Sequence, residues 1–320
     1  MTDRCWDVLT LGETMIRLTP PAAQRLEQAA QFDVYVGGSE ANVAVGLARL
    51  GLRSAWVGRL PDNPLGRRVS AALGGQGVDV SGVIWANEGR VGVYYLEVAG
   101  APRGSRVIYD RQGSAASKLR AQDLDWTILS QTRHFHVSGI TAALSASCAE
   151  VVRQALAEAQ RRGATTSVDI NYRSRLWSPQ SAREVLQPLL GVDLVFCTAE
   201  DATTVFGVQG PPSEVAERLR HDWGAKMVVL TLGSRGALVC SADGLWQGKS
   251  HEVDPVDRVG AGDAYVAGFL YGYADADIDK AVAYGGAMAA WKYSEPGDFC
   301  WATSSDIETM LAEAVSEIRR

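Results

Sequence analysis

The run Asp257-Arg258-Val259-Gly260-Ala261-Gly262-Asp263-Ala264 constrains this chain more than any other stretch. Two glycines flank one small residue and a carboxylate follows at once. The chain then turns apolar and helix-like through Ala264, Val266, Ala267, Phe269 and Leu270. A glycine turn that opens a helix gathers backbone N–H groups at one point, where the helix dipole favours an anion. An aspartate at that point can accept a proton from an alcohol. Phosphoryl transfer to a hydroxyl needs such an anion cradle with a base beside it. Taken alone, the turn reads equally well as an ordinary helix start with Asp263 as its N-cap. A dinucleotide fingerprint fails on spacing, because its third glycine falls at Tyr265.

A chain of 320 residues suits one large α/β domain, or a domain with a small appendage. Its hydrophobic content of 47% supplies a full core. The formal net charge of -6 argues against nucleic-acid or anionic-membrane partners. The five cysteines (Cys5, Cys148, Cys197, Cys240, Cys300) are scattered, with no C-x-x-C pair. They predict a reduced, cytoplasmic protein without a disulfide frame or structural zinc. The segment Met1 to Asp7 is too polar for a signal peptide, and no apolar run reaches membrane-spanning length.

Asp7 to Glu13 reads as a buried strand ending in a glycine turn, Glu40 to Leu50 as a helix, and Ser54 to Gly58 as a core strand. Residues 14–36 and 90–113 differ, with short alternating strand pieces that predict a small separate sheet. From His134 onward strand and helix alternate: strands at His134–Ser138, Thr165–Ile170, Asp193–Cys197 and Lys226–Leu230, helices at Cys148–Arg161 and Ser213–Leu219. Such alternation predicts a parallel sheet covered by helices. Asp243-Gly244 marks a hairpin between Ala237–Cys240 and Leu245–Gly248.

Other motifs read two ways. Gly37-Gly38-Ser39-Glu40-Ala41-Asn42 is either a capped helix start or a turn that lets a ligand approach the backbone, with Asn42 pointing back at the same place. Thr231-Leu232-Gly233-Ser234-Arg235-Gly236 is either a plain turn or a second phosphate cradle. Gly244 to Ser250 imitates a P-loop, but its glycines are one residue too close and no helix follows, so Lys249 reads as a solvated strand residue. His134 and His136 share a strand face without further metal ligands and read as structural groups. Arg111 and Arg173 stand beside Tyr109 and Tyr172 near turns. Each alone is most often a surface charge; together they suggest an acidic substrate, since a guanidinium grips a carboxylate in bidentate fashion.

Two motifs in order, Gly37-Gly38 through Asn42 to Gly51 and Gly58, then Asp257 through Gly268, resemble the ribokinase (PfkB) family of carbohydrate kinases. The resemblance runs almost end to end. It implies a ribokinase-like fold: a doubly wound, mostly parallel α/β sheet flanked by helices, with a small β-sheet lid. The core would take residues 1–13, 37–89 and 114–320, and the lid residues 14–36 and 90–113. It implies ATP as phosphoryl donor with Mg²⁺ bridging its phosphates. Asp263 is then the base, and Gly260, Ala261 and Gly262 form the anion hole. Asn171, Thr231, Gly233, Ser234, Gly236, Gly260, Gly262 and Tyr284 would face the nucleotide. The stretches Tyr35–Asn42, Tyr109–Ala115, Ser138–Ile140 and Asp169–Arg173 are most similar to members acting on 2-keto-3-deoxygluconate. In those members the residues matching Gly38, Asn42, Tyr94, Tyr109, Arg111 and Arg173 hold the sugar acid, and the product is its 6-phosphate.

Three positions depart from the family pattern. Thr198 and Asp201 stand where many members carry N-x-x-E, so Asp201 is the remaining candidate for indirect metal organisation. Arg258 stands where threonine is common, which leaves a monovalent-cation site open. Tyr284 replaces a frequent asparagine near the adenine. Other acceptors (fructose, ketodeoxygalactonate, a nucleoside) remain alternatives, as does a non-catalytic sugar-binding protein. Exposed lid edges predict a homodimer through the lid.

Overall fold

The computed structural model describes residues 4–21, 24–100 and 102–317. The ends of the expected core, 1–3 and 318–320, and positions 22, 23 and 101 of the expected lid lie outside the described residues.

Eight strands form the large sheet, numbered here with all others in chain order: β1 (Trp6–Leu11), β4 (Ser54–Val57), β9 (Thr132–Ser138), β10 (Thr165–Asp169), β11 (Leu194–Thr198), β12 (Met227–Thr231), β13 (Ala237–Ser241) and β14 (Leu245–Gly248). Four strands form a second sheet: β2 (Met15–Thr19), β3 (Asp33–Gly37), β7 (Val93–Glu97) and β8 (Arg106–Asp110). β5 (Arg59–Pro61) and β6 (Ile84–Ala86) pair apart. The helices are α1 (Ser39–Arg49), α2 (Pro64–Gly74), α3 (Gly139–Ala143), α4 (Ala146–Arg161), α5 (Pro179–Leu186), α6 (Ala199–Thr204), α7 (Pro212–Trp223), α8 (Ala261–Tyr273), α9 (Ile278–Tyr293) and α10 (Ser304–Glu317).

The large sheet runs β14-β13-β12-β11-β10-β9-β1-β4. Its pairs are parallel from β4 to β12, and the β13–β14 hairpin adds an antiparallel edge. β1 lies between β4 and β9, so successive connections leave it in opposite directions. That reversal opens a crevice at the carboxyl ends of β1 and β9, where open α/β sheets bind ligands.

Period-two alternation sorts the strand side chains into two cores. Val195, Cys197, Val228 and Leu230 pack with α4, α5, α6 and α7; Leu194, Phe196, Met227 and Val229 pack with α1, α8 and α9. Each large apolar side chain so buried contributes about 1.5–3 kcal/mol. Local chemistry sets several helix starts. Asn63, Ser145, Ser178 and Asp277 each accept a first-turn N–H of α2, α4, α5 and α9. α7 stops at Gly224, which takes the left-handed conformation.

The second sheet has the order β3-β2-β7-β8, with β2 and β7 parallel and the other pairs antiparallel. β3 ends at Gly37 and α1 starts at Ser39, so this sheet is joined to the crevice through the single residue Gly38. No helix among the described residues is long and apolar enough to cross a membrane.

Candidate active site

α8 begins at Gly260, whose φ of 87° is left-handed and suits glycine. A Cβ there would also sit 2.1 Å from the Asp298 carbonyl oxygen. Gly262 is different: nothing lies within 4 Å of where its Cβ would be, so its missing side chain leaves open space before the helix start. Ala261 N–H makes a long bond of 3.4 Å to the Arg258 carbonyl. Gly262 and Asp263 belong to the first turn, whose N–H groups have no carbonyl one turn back to bond.

Asp263 is not the cap of α8; it is the third helical residue, and its side chain makes no cap bond. Its Oδ1 accepts from Ser39 Oγ at 2.8 Å and its Oδ2 from Asn42 Nδ2 at 2.7 Å. Both donors stand on the first turn of α1. Ser39 Oγ in turn accepts from Asn171 Nδ2 at 2.9 Å. Asn171 holds a left-handed φ of 41°, rare for a residue with a side chain and common where function fixes the backbone. Burial pushes the Asp263 carboxyl up to about 6, against the pull of Asn42, Ser39 and Arg173.

Around this carboxylate the parallel strands end at one level. Ser138 of β9 registers with Asp169 of β10, and Thr198 of β11 with Thr231 of β12. Asp169, which the sequence did not single out, is bonded to Asn171 through both its N–H (3.2 Å) and Nδ2 (3.2 Å). Burial, then the charges of Asp263 and Asp201, raise its carboxyl well above the ordinary range. Asp201 follows the N-cap Thr198 and accepts from the Tyr172 N–H at 3.4 Å. Burial raises its carboxyl too, and Arg173 opposes the rise. Arg173 is exposed, and its guanidinium makes no hydrogen bond or ion pair among the described residues.

The other expected sugar contacts are already engaged. Arg111 is buried, donates from Nε to Glu13 Oε2 at 2.8 Å and pairs with the same oxygen through Nη2. Ser114 Oγ bonds the other Glu13 oxygen at 2.5 Å. Tyr94 is buried, bonds the Asp298 carboxylate through its hydroxyl and packs on Tyr109, ring centroids 5.7 Å apart. Tyr109 is exposed. At Gly37 and Gly38 a side chain would run into the protein itself. A Cβ on Gly37 would meet the Asp298 carboxylate at 2.0 Å, and one on Gly38 the Glu13 carbonyl at 2.1 Å. The pairings of Glu13 and Asp298 were not legible in the sequence because their partners lie about a hundred residues or more away.

Thr231, Gly233, Ser234 and Gly236 form one loop at the carboxyl end of β12. Gly233 and Gly236 both have positive φ, and Leu232 N–H closes the loop on the Gly236 carbonyl at 2.8 Å. Ser250 bonds the Ser234 carbonyl, which brings the 249–251 segment alongside. Tyr284 stands apart from this loop, on α9. Its ring packs on Tyr271 with centroids 4.9 Å apart, and its hydroxyl bonds Glu308 of α10 at 3.3 Å. Two residues turn a helix by about 200°. Gly286 therefore takes the opposite side of α9, where a Cβ would lie 3.0 Å from the Lys249 carbonyl. Lys249 itself is exposed just past β14. His134 and His136 share the Ser167 hydroxyl (2.7 and 2.8 Å) inside the sheet, away from this site.

A model of the pfkB family carbohydrate kinases matches residues 7–300. The chain belongs to that family. It is 39% identical over 307 residues to the 2-dehydro-3-deoxygalactonokinase of Haloferax volcanii, spanning 95% of this chain and 96% of that one. It is 35% identical over 292 residues to the 2-dehydro-3-deoxygluconokinase of Thermoproteus tenax, spanning 88% and 86%. The crystal structure of the Thermotoga maritima 2-dehydro-3-deoxygluconokinase superposes with a TM-score of 0.91 at 35% identity, covering 95% of this chain and 98% of that one. As a pfkB carbohydrate kinase the chain is a phosphotransferase with an alcohol acceptor, and the mostly parallel sheet flanked by helices is that of its ribokinase-like neighbours.

Proposed function

We propose that this kinase transfers the γ-phosphoryl group of ATP to O6 of 2-keto-3-deoxygluconate, with Asp263 as the base. The observation that carries the reading is the buried Asp263 carboxylate, held by Ser39 and Asn42 beside the open space at Gly262. With its carboxyl at about 6, Asp263 is ionised at neutral pH yet basic enough to take the proton of an attacking hydroxyl. The N–H groups of Gly262 and Asp263, with the turn at Gly260 and Ala261, receive charge on the transferred group. The loop of Thr231, Gly233, Ser234 and Gly236 is suited to the remaining phosphates, and Asn171 holds Ser39 and Asp169 in place.

The donor set fits Mg²⁺. The charge of Asp201 helps raise the Asp169 carboxyl, and Arg173 is the cation that opposes the rise at both. A Mg²⁺ ion here would be held by one or two carboxylates together with substrate phosphates. When bound, Mg²⁺ would neutralise charge developing on the phosphates.

Arg173 supports a sugar acid: an exposed, unpaired guanidinium at a strand's carboxyl end has a role toward a substrate carboxylate that a neutral sugar would not give it. The similarity to a 2-dehydro-3-deoxygalactonokinase favours a second reading, in which the acceptor is the C4 epimer, 2-keto-3-deoxygalactonate. ADP release with MgATP against both epimers, fructose and ribose separates these. Turnover on one or both acids, with the neutral sugars about 10- to 100-fold slower in kcat/KM, is expected from an Arg173 contact. Turnover only on a neutral sugar would discard the acid.

We also infer a homodimer through the second sheet, acting as a lid. Val34 on its edge strand β3, and Ile108 and Tyr109 on its edge strand β8, are exposed. Solution scattering should give the mass of two chains; one chain would refute this.

A further inference from the structure

Behind the anion-hole turn lies a buried cluster of charge that the proposed chemistry does not use. The Asp257 carboxylate accepts from Val259 N–H (3.0 Å), Gly297 N–H (3.1 Å) and Arg17 Nη2 (2.5 Å). Asp298 accepts from Arg17 Nη1 at 3.0 Å and is bonded by Tyr94. These two acids fix the turn from both sides, since Asp257 ties down its entry and the Asp298 carbonyl packs against Gly260.

Lys292, in the last turn of α9, is fully buried in the same place. Its ammonium donates to the Glu295 carbonyl at 2.8 Å. Burial lowers its pKa from the usual lysine value, and the charges of Asp257 and Asp298 oppose the fall. Burial pushes the Cys300 thiol up to about 12 and the Tyr94 hydroxyl well above its ordinary range, and it raises the Asp298 carboxyl against the pull of Arg17. Arg17 and Lys292 therefore both face Asp257 and Asp298. Buried charge is tolerated when it is paired in this way and costs heavily when it is not.

We infer that the Lys292 ammonium takes the place of a monovalent cation beside the anion-hole turn, and that this kinase needs neither K⁺ nor NH₄⁺. The residues present do not fit such an ion. The Glu295 carbonyl already accepts from Lys292, and an added cation would face both that ammonium and the Arg17 guanidinium. The resident ammonium has the charge of K⁺ and is bonded to a carbonyl oxygen as K⁺ would be. It differs in being tethered, so the turn is held without dependence on the medium.

The inference rests on the proposed role of the turn, so its test reads stability as well as turnover. Wild-type protein and Lys292→Gln are compared in choline, Na⁺, K⁺ and NH₄⁺ chlorides at equal ionic strength. For the wild type, kcat and Tm stay level across the four salts. Lys292→Gln loses turnover and Tm, and both are restored in a saturable way by K⁺ or NH₄⁺ but not by choline, with turnover recovering about fivefold or more as the vacated charge is bound. A saturable rise of wild-type Tm or kcat with K⁺ overturns the inference even if the variant does not fold. A variant indistinguishable from wild type overturns it. So does a variant whose loss no cation relieves, because Lys292 would then be a structural charge alone. Failure of the turn's catalytic role would appear separately, as a cation-dependent Tm in the variant without any cation-dependent kcat.

Discussion

Asn42 Nδ2 donates to Asp263 Oδ2 at 2.7 Å, joining the first turns of α1 and α8 across 221 residues of chain. The bond stabilises the ionised carboxylate and so holds its pKa down against burial.

Removing that donor should move the pH profile. In Asn42→Ala the acid limb of kcat/KM, expected near pH 6 in the wild type, shifts upward by about one to two units, the worth of a hydrogen bond to a charged group. The sign follows because the variant favours protonated Asp263, and the protonated form cannot take the hydroxyl proton. Comparing the two profiles cancels the titration of the nucleotide. Superimposable limbs would remove Asp263 from the rate equation.

The two arginines should part company. Arg173→Ala raises KM for the sugar acid by about 10- to 100-fold, with a smaller change in KM for ATP and little change in Tm, because an exposed guanidinium without a hydrogen bond of its own is lost. Arg111→Ala leaves Glu13 buried and unpaired, and costs about 3–5 kcal/mol of stability. Adding Glu13→Gln to that variant recovers most of the loss. Thermal unfolding of the two singles and the double, with acceptor kinetics for Arg173→Ala, checks both statements.

His136 carries a stability prediction. Burial lowers its pKa to about 3, so the folded state keeps it neutral while the unfolded chain protonates near 6.5. Stability from this group is complete above 6.5 and is lost as pH falls toward 3. Between pH 7 and pH 5 the wild type should lose about 2 kcal/mol more than His136→Asn, which has nothing to titrate there. Urea unfolding of both proteins at the two pH values measures the difference; equal losses would refute it.

Signals that lie within a few residues were legible in the sequence. The G-x-G-D turn is local, as are the apolar runs of β10, β11 and β12, and each appears in the structure within a residue or two of its expected place. Partners set by the fold were not legible. Glu13 faces Arg111 across 98 residues, and Asp298 meets Tyr94 across 204 and Arg17 across 281. Glu13 had one usable sign, its place just beyond a core strand. Lys292 had none, because a lysine in a helix reads as solvent-facing until the packing around it is known. The packing of Tyr284 on Tyr271 and Glu308 was not legible either, because which face of α9 it occupies depends on the helices packed around it.

The central claim is tested most directly by Asp263→Asn, assayed for ADP release with the acid that the wild type turns over fastest. A base of this kind is worth about 10²–10⁴ in rate, so kcat should fall by that factor. The variant should also be more stable at pH 7 by about 1–3 kcal/mol. Folding raises this carboxyl from 3.8 to about 6, so ionising it in place works against the fold. Inactive but stabilised protein is the predicted result. Asp263→Asn protein that keeps wild-type turnover would contradict the account, because Asp263 would then hold the turn without touching the proton.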